Sequence, residues 1–356
     1  MKLILLTGSL ALLGTLLGTR LAIHLLVRKG YGQYIRDDGP QEHLKKAGTP
    51  TMGGLAIIVS VVVAYSVAHL VLWQPPTASG ILLLGLLVGL GFVGFLDDWL
   101  KISRARSLGL NSKAKLFGQI LVAVVFAALA FQFPNERGLT PASPAVSFLR
   151  DIQWLHLPLF LAIIWVVFII AAMSNGVNLS DGLDGLSTGL STMVFAAYAL
   201  VNIWQNNQSC ASLSTVGPRC YEVRDPIDLA AISLALAGAC FGFLWWNAYP
   251  AKIFMGDSGS LAIGGAVAGL AILTRTELLS LLLGGMFVII TLSVVLQVGY
   301  FKLSGGKRLF KMAPLHHHFE MKGWAEQTVV VRFWIIAGVL AAAGIGTFYA
   351  EWVVGQ

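Results

Sequence analysis

The sequence predicts an all-α, polytopic integral membrane protein with about ten transmembrane helices. Three observations carry that reading. Hydrophobic residues make up 56% of the 356 residues and charged residues only 12%, about half the charge of a soluble domain. Apolar stretches of spanning length recur along the whole chain. Leu, Ala and Gly dominate them without the ten-residue alternation of a barrel, and a lipid-embedded backbone must then satisfy itself as helix.

The first stretch, 3–27, is closed by Arg28 and Lys29 and is followed by no A-x-A site. It reads as an uncleaved anchor rather than a signal peptide, with Arg20 and His24 snorkelling or pairing locally. The second, 52–73, follows a polar connection, and the third, 80–97, ends at Asp97 and Asp98 before Trp99, Leu100 and Lys101. A basic connection leads into the fourth, 116–133. The fifth and sixth, 157–174 and 186–204, are separated by the segment Asn175 to Gly185. A polar loop, 205–228, precedes the seventh, 229–246. Asp257 opens the eighth, 260–274; the ninth, 278–301, carries Gln297; the tenth is 329–350. No repeat or compositional break divides the chain, so 1–356 is expected to form a single membrane-embedded domain.

Lysine and arginine concentrate in alternate connections. Arg28, Lys29, Arg36, Lys45 and Lys46 follow the first helix, Lys101 to Lys115 the third, and Lys302 to Lys322 the ninth. The positive-inside rule therefore places the odd-numbered connections in the cytoplasm and both termini in the periplasm. The net charge of +7 forms no basic stripe interleaved with aromatics, which excludes a nucleic-acid partner. Cys210 and Cys220 share the outer loop, where an oxidising compartment permits a disulfide. Spacing alone leaves two free thiols equally open. Cys240 lies in an apolar run and reads as packing.

Five acids stand at the edges of apolar runs, all on the predicted cytoplasmic side: Asp97, Asp98, Asp181, Asp184 and Asp257. A carboxylate near lipid costs several kcal/mol unless it meets water, a partner or a cation. Asp97 and Asp98 oppose the macrodipole at a helix C-terminus, which calls for compensating positive charge. Asp181 and Asp184 are spaced i, i+3, which places them on one face of a helix; Asn175 and Asn178 extend the series upstream. The alternative is an Asx turn and cap joining two helices. Asp257, in FMGDSGS, opens a helix whose free N–H groups suit phosphate, while its carboxylate suits Mg²⁺. Asn247 lies just upstream. Lys46, in HLKKAGTPTMGG, can neutralise a phosphate or contact lipid headgroups; the segment lacks P-loop order. His316, His317 and His318 are consecutive, which argues against a shared zinc ion.

These segments resemble the polyprenyl-phosphate N-acetylhexosamine-1-phosphate transferases. The matching pieces are HLKKAGTPTMGG (43–54), GFLDDWLK (94–101), GLNSKAKLFGQ (109–119), NGVNLSDGLDGL (175–186), NAYPAKIFMGDSGS (247–260) and MAPLHHHFE (312–320). GTPTMGG and the triple histidine are the pieces most specific to the murein branch. The resemblance implies transfer of phospho-MurNAc-pentapeptide from UDP-MurNAc-pentapeptide to undecaprenyl phosphate, releasing UMP and forming lipid I, with Mg²⁺ as cofactor. It implies an inner-membrane enzyme whose site faces the cytoplasm, in contact with membrane lipids, with a second copy of the chain as a further candidate partner. Asp97, Asp98 and Asp257 are then the expected catalytic residues: Asp257 is the main metal ligand, with Asp97 and Asp181 as further ligands, and Asp97 is also the candidate base. Substrate contacts are expected from Lys46, Thr51, Lys115, Asn175, Asn178, Asp181, Asp184, Asn247, Phe254, Gln297, His316, His317 and His318. Two readings compete: a GlcNAc-1-phosphate transferase of the same family, and a secondary transporter, whose acids would sit near the bilayer midplane.

Overall fold

The computed structural model describes residues 1–28, 30, 32, 48–104, 108–211 and 220–354. Ten helices in it are long and apolar enough to cross a membrane, as the sequence predicts. They are α1 (Lys2–Arg28), α2 (Gly54–Leu72), α3 (Ala78–Ser103), α4 (Ser112–Ala130), α5 (Leu159–Ser180), α6 (Leu186–Asn207), α7 (Pro226–Asn247), α8 (Gly256–Leu273), α10 (Gly285–Leu303) and α12 (Glu326–Val354). Two short helices, α9 (Ser280–Leu283) and α11 (Leu315–Glu320), complete the helical set.

The boundaries differ from the sequence reading in three informative places. The third helix runs past Asp97 and Asp98 to Ser103, because Lys101 compensates the acids within the helix itself. The run 278–301 breaks at Gly284 into α9 and α10. The polar connection before α5 holds an antiparallel hairpin, β1 (Ala145–Ser147) paired with β2 (Asp151–His156).

Helix α8 is the axis of the bundle. All its residues from Ser258 to Leu273 are buried, and α3 and α5 pack along its two flanks. Close approach to α3 depends on Gly94: a Cβ there would strike the Asp257 backbone. This contact carries the end of α3 onto the start of α8. By contrast α1, α4, α10 and α12 bury only one side and leave leucines, valines and phenylalanines outward, as lipid-facing helices do.

At the end away from the acids, Glu277 joins the α8–α9 connection to β1. Its Oε2 accepts the Ser147 N–H at 2.9 Å and the Trp165 indole N–H at 3.2 Å. The Glu277 N–H donates in return to Ser147 Oγ at 3.2 Å. Cys210 and Cys220 form a disulfide, with Cα atoms 4.8 Å apart, which closes the alternative left open by spacing. Arg150 stacks over Tyr221 at 4.0 Å, donates to the Cys220 carbonyl and pairs with Glu351 of α12 at 3.3 Å.

Burial pushes the Glu277 carboxyl up to about 7. An acid whose pKa is higher folded than unfolded binds more protons when folded, so its contribution to stability falls as pH rises from the unfolded value towards 7. The full penalty is on the order of 3 kcal/mol. Glu277→Gln keeps an acceptor without the charge. Its thermal midpoint relative to wild type is expected to improve from pH 5 to about pH 7 and to level off above that; a pH-independent difference would refute a buried neutral acid.

Candidate active site

The chain brings Asp97, Asp98 and Asp257 together. Each presents a carboxylate oxygen, and these atoms lie within 4.8 Å of one another. Asp97 and Asp98 are 3% and 2% exposed. Three such carboxylates repel, and the repulsion grows as water is excluded. Lys101 offsets it. Its Nζ lies 2.6 Å from Asp97 Oδ2 and 3.6 Å from Asp98 Oδ1, and it also pairs with Asp257 Oδ2. Helical spacing explains the geometry: Lys101 is i+4 from Asp97 and i+3 from Asp98, so all three project from one side of α3. Lys115, from the first turn of α4, reaches Asp257 Oδ1 at 3.2 Å.

Each acid has a distinct second bond. Asp98 serves the start of α8, where helix geometry leaves N–H groups without intrahelical partners. Its oxygens accept Asp257 N–H at 3.1 Å and Ser258 N–H at 2.9 Å. Asp97 Oδ1 accepts Leu110 N–H at 2.8 Å and so ties α3 to the approach of α4. Asp257 Oδ1 also accepts the Asn178 amide, which donates further to Ser260 Oγ at 2.8 Å. The site thus joins the end of α3, the starts of α4 and α8, and the end of α5.

Asn175 lies one turn above Asn178 and donates to Gln119 Oε1 at 2.7 Å. Asp181 and Asp184 fall in a tight turn, 181–185, between α5 and α6. The shared helix face expected from their spacing does not form, because α5 ends at Ser180, before either acid, and α6 begins only at Leu186, after Gly185 with its positive φ. Desolvation raises the half-buried Asp181 carboxyl to about 8, and the negative charges of Asp257, Asp98 and Asp184 push the same way. Asp184 turns from the triad: its Oδ2 accepts Ala251 N–H at 2.9 Å. Asn247 is likewise tied into the fold, accepting from Thr188 at 2.7 Å and donating to the Ile253 carbonyl at 3.0 Å. Together they shape the turn that leads through Phe254 to Asp257. Thr51 is buried beside Gly256, because the backbones of Pro50 and Gly53 pair with Phe254.

The histidines do not converge on one point. His316 is buried against Gly182, where a Cβ would collide with its ring. His317 Nδ1 lies 2.6 Å from Glu320 Oε2, and His318 Nδ1 accepts Lys311 N–H at 3.0 Å. Gln297 Oε1 accepts the N–H groups of Leu309 and Phe310 at 3.1 and 2.8 Å, which pins the segment after α10. Lys46 lies outside the described residues. Sequence reasoning gave Lys101, Ser260, Gln119 and Thr188 no part in the site; the i+3 and i+4 spacing of Lys101 from the two acids was the available signal.

Three acids, two buried and one half-buried, meet two lysines at one end of a bundle of ten helices long and apolar enough to cross a membrane. Residues 80–275 match glycosyl transferase family 4, and the chain belongs to that family. Residues 46–58 match phospho-N-acetylmuramoyl-pentapeptide-transferase signature 1. The chain is 64% identical to the phospho-N-acetylmuramoyl-pentapeptide-transferase of Cutibacterium acnes, over 100% of both chains. Identity is 60% to the proteins of that name from Paenarthrobacter aurescens and Streptomyces avermitilis, over 99% of each chain in both cases.

Removing the Asp98 carboxylate strands two backbone donors at the start of α8. Asp98→Ala is expected to cost about 1–3 kcal/mol of stability, read as a lowered thermal midpoint. Asp98→Asn, which keeps one acceptor, should lose less; equal midpoints for wild type, Asn and Ala would show that Asp98 does not hold the helix.

Proposed function

We propose that the chain transfers phospho-MurNAc-pentapeptide from UDP-MurNAc-pentapeptide to undecaprenyl phosphate, giving lipid I and UMP. The observation that carries this reading is the convergence of Asp97, Asp98 and Asp257 around Lys101 at one end of the bundle. Full-length similarity to proteins named for this activity supports it. The positive-inside rule turns this end towards the cytoplasm, with both termini periplasmic, and the bilayer is then the bacterial inner membrane. A soluble nucleotide sugar and a lipid phosphate can meet only at such an edge. Acids gathered at helix ends also oppose a transporter, whose site would lie near the midplane.

The residues fit Mg²⁺: three hard oxygen donors converge, and a cation already bridges them as Lys101. Asp97, Asp98 and Asp257 would hold the metal, with Asp98 in the place expected for Asp181, which is not among the converging oxygens; the metal would supply charge stabilisation to the transferring phosphoryl group. The remaining work falls to the chain. Lys101 and Lys115 offset the mutual repulsion of two phosphorylated substrates. Asp97 accepts the proton of the lipid phosphate at its carboxylate. The freed phosphate oxygen attacks the sugar-linked phosphorus, the bond from that phosphorus to the bridging oxygen breaks, and UMP leaves with the electron pair. Direct attack suffices, because phosphoryl transfer depends on positioning and charge stabilisation. Asn178 holds Asp257, while Asp184 and Asn247 hold the turn that presents Phe254 and Asp257. Asp181, Thr51, Phe254 and the histidines border the nucleotide side. A second copy of the chain is a further proposed partner.

The test is UMP release by purified protein with undecaprenyl phosphate and either UDP-MurNAc-pentapeptide or UDP-GlcNAc, with and without chelator. Release is expected only with the muramoyl substrate and only without chelator; turnover of UDP-GlcNAc alone would replace this reading with the neighbouring activity. Asp257→Asn should abolish release in a folded protein. Asp97→Asn should lower turnover by about a hundredfold or more with nucleotide binding kept; a selective loss of nucleotide binding would remove Asp97 as the base.

A further inference from the structure

Beside the acid triad's end of the bundle, α10 and the segment that follows it enclose a separate cavity of about 520 Å³. Three cations line it: Lys302, Arg308 and Lys311. Among the described residues none of them pairs with a carboxylate. The nearby Glu320 is taken by His317 at 2.6 Å. Lys311 Nζ donates only to the Met321 carbonyl, at 3.0 Å. Burial lowers the His318 pKa, and the charges of Lys322 and Lys311 add to the effect. Three like charges around one space, without an acid, favour an anion there.

Apart from Gln297 the rest of the lining is apolar, including Val294, Val298, Phe301 and Met312. The cavity mouth continues into a stripe on α10. Val294, Val298 and Phe301 share one face of α10, and Val298 and Phe301 are exposed. At 1.5 Å per residue this stripe is roughly 10 Å long, about a third of the ~30 Å hydrocarbon core. A soluble anion would leave this stripe unused; an amphiphile fits head and tail together. The inner wall is fixed, because Gln297 clamps Leu309 and Phe310. No cavity residue bonds to Asp97, Asp98 or Asp257.

We infer that this pocket binds the phosphate headgroup of an anionic phospholipid of the surrounding leaflet, with one acyl chain lying along the α10 stripe. Basic pockets at the cytoplasmic ends of membrane helices recognise such headgroups. The inference is independent of the reaction proposed above.

The test uses the full-length protein in nanodiscs of phosphatidylcholine mixed with phosphatidylglycerol, with retained lipids counted by native mass spectrometry. Wild type is expected to keep one tightly held phosphatidylglycerol. Lys302→Gln with Arg308→Gln should lose it, with affinity weakened about tenfold or more. The charge-preserving pair Lys302→Arg with Arg308→Lys should retain it, and so should Arg104→Gln with Lys113→Gln, which removes the same charge elsewhere. Equal retention by wild type and the first variant, or equal loss in the Arg104/Lys113 control, would overturn the inference. Displacement of the bound lipid by added undecaprenyl phosphate would also overturn it, making the pocket a route for the lipid carrier.

Discussion

One lysine among three carboxylates organises this end of the molecule. Without Lys101, Asp97, Asp98 and Asp257 would hold like charges within a few ångströms of one another, at the edge of a low-dielectric bundle. With it, the acids can stay close and still turn their remaining oxygens to different tasks. Asp98 secures the start of α8, Asp97 secures the approach to α4, and Asp257 gathers Lys115 and Asn178. The start of α8, the approach to α4 and the geometry of the proposed site are therefore held by the same side chains.

The bundle supplies what this cluster requires. Helix α8 is enclosed almost completely, so its first turn is a fixed reference against which α3 and α5 are set. Gly94 allows the α3 backbone to come within reach of that turn. Behind it, Asp184 and Asn247 brace the preceding turn through backbone groups of Ala251 and Ile253. These two bond to the surrounding fold, in contrast to Asp97, Asp98 and Asp257, which face one another.

The spans were legible because lipid demands long apolar runs, and that demand is written in composition. Asp257 at the opening of α8 was legible for a related reason: a polar cluster beside glycine interrupts an apolar pattern. The helix face expected for Asp181 and Asp184 was not, because i, i+3 spacing presupposes a helix, and α5 ends before either acid. The partners of Asp184, Asn247 and Gln297 could not be read either, since each bonds to backbone atoms that only the tertiary fold brings near. The break at Gly284 and the hairpin at 145–156 lie where hydrophobicity gives no directional signal.

The opposite end is built on another plan. Arg150 there touches the ring of Tyr221, the carbonyl of Cys220 and the carboxylate of Glu351. A hairpin, a disulfide-closed loop and the final helix are thereby clamped through one guanidinium. Loss of that one side chain would therefore release three elements distant in sequence at once.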